Sequence, residues 1–183
     1  MDIYRIYTEN SPYKAIAYGN TPLIENIGED KWENISQIES FSYLWNEDDK
    51  EKTCGDCPFL IGAIPVFSVD LLKRIKKYLS NDLAEVIPIK VENKEYAIIK
   101  AKKFVMNLLD ERNSQITRYS DGSIMSVEKY VFKETNELPM IFSLSDYSLF
   151  TFVTGQLAEE LLSIHPSGLE IEKCKIKKKW LWI

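Results

Sequence analysis

The chain has 183 residues, 45% of them hydrophobic and 28% charged, with a formal net charge of −5. That length buries roughly 70% of the unfolded surface without a disulfide or metal staple, and the composition excludes a wholly disordered chain. An acidic balance disfavours nucleic acid as a partner, and no apolar run of membrane-spanning length is present.

The charge is unevenly spread. Residues 1–50 hold ten acidic and four basic side chains, with a dense cluster at Glu47-Asp48-Asp49, whereas Lys173, Lys175, Lys177, Lys178 and Lys179 crowd the other end. An acidic half can steer a basic protein partner, although a charge run is most often a solvated face. The first residues, Met1-Asp2-Ile3-Tyr4-Arg5, lack the apolar segment of a secretory signal. Three cysteines are too few, and odd in number, for a secreted disulfide framework, so a cytoplasmic protein is expected.

In chain order, residues 1–20 read as a short strand or two carrying Tyr4, Tyr7, Tyr13 and Tyr18. Residues 25–60 are polar and irregular, punctuated by Trp32, Phe41, Tyr43, Leu44 and Trp45. From residue 61 the patterns sharpen. Pro65-Val66-Phe67 is an apolar strand ending in Ser68, whose hydroxyl can cap a helix, and Asp70 in the first turn complements the helix dipole. Leu71, Leu72, Ile75, Tyr78 and Leu79 recur at spacings of three and four, with Lys73, Lys76 and Lys77 opposite, which predicts an amphipathic helix on a sheet.

Val86–Ile89 and Tyr96–Ile99 read as strands, and Pro88 argues for an edge position or a bulge. That exposed edge could support a homodimer. Phe104–Leu109 is an apolar run, strand or short helix. Asp121-Gly122 signals a hairpin joining strands near Ile116–Tyr119 and Ile124–Val127. Tyr130–Phe132 and Met140–Phe142 add short strands. The opening theme then recurs: Phe150–Val153, a cap at Thr154, a helix over Gln156–Ile164, and a strand from Gly168. His165-Pro166 ends that helix, with His165 serving its last carbonyls. The pattern predicts one α+β domain, a mostly antiparallel sheet carrying two amphipathic helices: an irregular part over 1–60, a strand–helix–strand core over 61–176 and a basic aromatic tail over 177–183. In that tail Trp180 and Trp182 are expected to dock a strand face.

Chemistry-bearing motifs are sparse. Cys54-Gly55-Asp56-Cys57 has redox-pair spacing, but no buried strand leads into it and no helix opens from it. Cys54, Cys57, His165 and Cys174 together make the inventory of one Cys₃His zinc site, though His165 and Cys174 are separated by a predicted strand. The plain reading leaves Cys54 and Cys57 as free thiols in a loop and Cys174 in the core. A single histidine limits acid–base options, and neither a phosphate-cradling glycine loop nor a nucleophile elbow is present. Neither an enzyme nor a cofactor is expected.

An ordered set of motifs resembles immunity protein family eleven, whose members accompany bacterial polymorphic toxins. The set comprises Pro65–Ser68, Val86–Ile89, Leu109–Ser114, Pro139–Phe142, Phe152–Thr154 with its helix, and Ser167–Glu170, and spans roughly residues 60–176. The resemblance implies a cytoplasmic, non-catalytic protein that binds a cognate toxin domain, and it carries over no catalytic residue. Residues 1–60 match poorly. On charge, the partner-facing residues are expected to be Glu29, Asp30, Glu33, Glu47, Asp48 and Asp49. A thiol redox protein using Cys54 and Cys57, or a zinc-stabilised interaction module, are the alternatives.

Overall fold

The computed structural model describes residues 1–8, 12–17, 43–60, 64–148 and 150–177. Glu29, Asp30, Glu33, Trp32 and Phe41 lie outside the described residues, as do Lys178, Lys179, Trp180 and Trp182. The fold is α+β with mostly antiparallel sheets. In chain order the strands are β1 (Ile3–Thr8), β2 (Ile16–Ala17), β3 (Leu44–Trp45), β4 (Val66–Ser68), β5 (Ala84–Val91), β6 (Lys94–Ala101) and β7 (Phe104–Val105). They continue as β8 (Gln115–Arg118), β9 (Ile124–Lys129), β10 (Val131–Lys133), β11 (Ile141–Leu144), β12 (Thr151–Thr154), β13 (Leu169–Lys173) and β14 (Lys175–Lys177). Helix α1 covers Val69–Ile75 and helix α2 covers Gly155–Ile164.

The repeated sequence theme becomes a repeated topology. In the three-stranded sheet, of order β4-β6-β5, both outer strands run antiparallel to β6. Strands β4 and β5 are therefore parallel to each other, joined through α1, with a third strand between them. The larger sheet has the order β13-β1-β12-β11-β7, and both β12 and β13 run antiparallel to β1. Strands β12 and β13 are thus another parallel pair, joined through α2 and split by β1. Each unit is a split β–α–β, but the intervening strand differs in origin. It is the next hairpin strand in the first unit and the N-terminal strand in the second. The short strand expected within residues 1–20 is Ile3–Thr8, and it fills an interior position of the large sheet: three residues apart, Ile3 and Ile6 point to opposite faces, Ile6 into the core shared with the helices and Ile3 into the cluster on the far face.

The two units share one core. Leu71 and Ile75 of α1 and Leu157 and Leu161 of α2 pack with Ile6, Ile141 and Val153 of the large sheet and Ala97 and Ile99 of the small one. Each of these side chains contributes on the order of 1–3 kcal/mol by leaving water. The far face of the small sheet is covered by Ile16, Tyr43 and Trp45, and the far face of the large sheet by Leu108, Leu109, Tyr130 and Phe132. Phe152 sits at the centre of that last cluster, 5.2 Å from the Phe132 ring centre and 5.5 Å from that of Phe142.

Local chemistry explains the element ends. Ser68 Oγ accepts the Leu71 N–H at 3.2 Å, the expected cap, and α1 tightens into a 3₁₀ turn over Lys76–Tyr78. Thr154 occupies the corresponding position before α2, but its hydroxyl makes no cap: it donates to Pro139 O at 3.0 Å. The segment leading into β11 supplies the acceptor that takes the hydroxyl away from the helix. His165 closes α2 as expected, with a left-handed φ of 49° and its N–H given to Leu161 O at 3.1 Å.

Pro88 lies on an edge strand, and the ladder shows why it fits. Ile99 gives its N–H to Pro65 O at 2.9 Å, so odd-numbered residues of β6 bond towards β4 and even-numbered ones towards β5. Opposite Ala97, Pro88 therefore faces away from β6, where a missing N–H removes no ladder bond. At the hairpin, Gly122 takes a φ of 89° whereas Asp121 stays out of the positive-φ region and accepts the Ser123 N–H at 2.9 Å. The Phe104–Leu109 run is a two-residue strand and then an irregular turn with Asn107 at φ 55°.

Candidate functional site

The segment from Tyr43 to Leu60 joins the two split units, and Asp56 is its hub. The Asp56 carboxylate accepts the Ser167 N–H at 3.0 Å and the Ser167 hydroxyl at 2.7 Å, and the Asp56 N–H returns to Ser167 Oγ at 2.8 Å. On the other side Asp56 O accepts the Ser68 N–H at 2.7 Å, and the Ser68 hydroxyl reaches its carboxylate at 3.4 Å. One residue thus ties the start of α1 to the turn that follows α2. The glycines beside it permit the approach. A Cβ on Gly168 would meet Cys57 O at 2.3 Å, and one on Gly55 would meet Ser167 O at 3.0 Å.

Above this clip lies an open polar groove of about 540 Å³, bordered by Cys54, Asp56, Ser68, Lys73, Lys94 and Tyr96. Its charges are mixed, and both serine hydroxyls are engaged with Asp56. The groove offers polar contacts without a nucleophile–base pair.

Of the Cys54–Cys57 pair, Cys54 is partly exposed and Cys57 is buried. Cys57 is 1% exposed, its N–H goes to Ser167 O at 2.9 Å, and burial pushes its thiol well above the ordinary range. An attacking thiol needs the opposite shift. The four proposed zinc ligands are not brought together: among the described residues no three His, Cys, Asp or Glu side chains could hold a metal ion. Cys174 packs with Ile3, Tyr130 and Phe152 at the far face of the large sheet, whereas Cys57 belongs to the shared helical core.

The acidic cluster divides. Glu47 and Asp48 are exposed on a 3₁₀ turn over Glu47–Asp49, but Asp49 is 5% exposed and cannot face a partner. Its carboxylate accepts the Ala15 N–H at 2.9 Å and the Lys52 ammonium at 2.7 Å, and these contacts hold it below the usual carboxylate range. A three-residue helical turn points one side chain of a run inward, which a charge count does not reveal. Asn46 fixes the other end by accepting the Asp48 N–H at 3.2 Å. Glu47 and Asp48 thus stand on a turn pinned at both ends, beside Leu44, which is 52% exposed.

The chain matches no family model and no curated protein. Sequence reasoning missed the pairing of Asp56 with Ser167. Asp56 lay hidden between two cysteines that drew the chemical reading, and no local signal links it to a serine 111 residues away.

Proposed function

We propose that this chain is an immunity protein that binds a cognate bacterial toxin domain in the cytoplasm and blocks it without catalysis. The observation that carries the reading is the pinned acidic turn. Glu47 and Asp48 project from a backbone locked by Asn46 and by the buried Asp49, with exposed Leu44 alongside. A rigid acidic display loses little conformational freedom on docking and attracts a basic protein surface over long range. The ordered resemblance to immunity protein family eleven supplies the class of partner. Among the described residues no helix is long and apolar enough to cross a membrane.

Sequencing the genes beside this one and co-expressing the chain with a toxin domain found there tests the reading. A stable complex and protection of the host are expected, and the Glu47→Lys, Asp48→Lys double variant is expected to bind at least about tenfold more weakly. Absence of both complex and protection would discard the function. Full affinity in the double variant would discard the acidic turn as the docking surface.

A further inference from the structure

Among the described residues the most exposed large hydrophobic side chain is that of Met106, at 71%, and Phe104, two residues before it, is 47% exposed. Both lie at the β7 edge of the large sheet. Lys103 O accepts the Ser143 N–H at 2.9 Å and Val105 O accepts the Ser145 N–H at 3.2 Å. Alternate residues therefore bond to β11, and Phe104 between them turns its N–H and C=O away from the sheet. Val105 packs on the far-face cluster, whereas Phe104 and Met106 do not. An apolar edge with outward backbone groups is open to pairing with another chain, and folded proteins cover or blunt such edges.

The chain itself leads a fitting segment towards this edge. Strand β14 runs parallel to β10, with Lys177 opposite Lys133. Lys133 gives its N–H to Leu108 O at 2.9 Å and its ammonium to Asn107 O at 2.7 Å. Lys177 thus stands two strand spacings, about 10 Å, from Leu108. Its ammonium lies 3.6 Å from Asp110 Oδ2, which fastens this point of the chain. Leu109 pairs antiparallel with Phe132, so the direction in which β14 runs is the direction leading from Leu109 back towards Met106. The six residues after Lys177 are Lys178-Lys179-Trp180-Leu181-Trp182-Ile183. Six residues can span up to about 20 Å, twice the separation to be crossed.

We propose that the edge at Phe104 and Met106 is the docking site for Trp180 and Trp182 of the same chain. The next step of the β10–β14 register sets Lys178 opposite Glu134, a pairing of opposite charges, and Lys179 completes the spacer. Side chains two residues apart share one side of an extended segment, so the two tryptophans match the spacing of Phe104 and Met106. Tryptophan also suits these neighbours: its ring buries a large apolar area, and a methionine sulfur makes favourable contacts with aromatic rings. The inference concerns how the sheet edge is closed, and it stands or falls independently of the toxin reading.

The test uses the full chain with ¹³C-labelled methionine methyl groups, which reports Met106 beside Met1, Met125 and Met140. A methyl group over a tryptophan ring is shifted upfield. The Met106 signal, assigned by Met106→Leu, is therefore expected upfield in the full chain. It should move downfield in the Trp180→Ala, Trp182→Ala double variant and on truncation after Lys177. The Met125 and Met140 signals should stay in place. A Met106 signal that neither variant moves overturns the proposal. Movement of all the methionine signals together overturns it as well, because the tryptophans would then support the whole fold and not this edge. So does an upfield shift that appears only as the protein dimerises in sedimentation, because a second copy would then supply the cover.

Discussion

Asp56 and Ser167 exchange three hydrogen bonds at 2.7–3.0 Å, joining a loop before the first split unit to the turn inside the second. Removing either partner strands polar atoms of the other. Asp56→Ala and Ser167→Ala are each expected to cost about 1–3 kcal/mol, measured by urea unfolding. The double variant should cost clearly less than the sum, since both single changes break the same contact. Strict additivity would show that the clip contributes nothing as a unit.

Two glycines with nearly equal φ should respond differently to alanine. Gly122 has φ 89° with nothing within 4 Å, and Gly168 has φ 86° with Cys57 O at 2.3 Å from an added Cβ. Gly122→Ala should lose only the cost of a left-handed alanine, about 1 kcal/mol. Gly168→Ala adds a backbone collision and should lose several kcal/mol or fail to fold. Equal thermal shifts in the two variants would refute the close approach at Cys57.

Alkaline pH should unfold the protein through its buried thiols. Burial pushes Cys174 up to about 12 and Cys57 upward as well, whereas an unfolded cysteine titrates near about 8.5. Between those values the unfolded chain releases a proton that the folded chain keeps, so stability falls as pH rises. Below that window both states hold the proton and the slope vanishes. Tyr43, Tyr96 and Tyr130 are raised by burial too and should steepen the loss further into alkali. Urea midpoints measured across alkaline pH, with and without Cys174→Ala, test this: the variant should show the shallower decline.

Pro88 should act as a guard on the β5 edge. It directs its nitrogen outward, and Val86, 41% exposed, lies on the same side of the pleat. Pro88→Thr restores an outward N–H to a long edge strand and is expected to promote concentration-dependent self-association, seen by sedimentation. An unchanged sedimentation profile would mean that the edge is protected by something other than the proline.

What was legible in the sequence was what local chemistry decides. The Ser68 cap, the α1 stripe, the Pro88 edge and the end of α2 at His165 all follow from residues within a turn of one another. Distant partners were not legible. Thr154 resembles Ser68 by sequence, yet Pro139 O takes its hydroxyl. Asp49 resembles Glu47 and Asp48, yet the Ala15 N–H draws it inward. Arg5 looks like an ordinary strand cation until β13 brings Glu172 and the segment after β9 brings Tyr130 against it.

The different origins of the two central strands set an order of assembly. Strand β6 follows β5 after a two-residue turn, so the first unit can close soon after its own residues leave the ribosome. Strand β1 comes before all the other strands, but its partners are Thr151–Thr154 and Leu169–Lys173. It cannot take its place in this sheet until both have been made. The first unit is thus placed to serve as a template, presenting the α1 face against which α2 docks while β1 slides between β12 and β13. Closing that last gap spends the largest loop entropy in the molecule, and it is the step most exposed to competition from other strand edges.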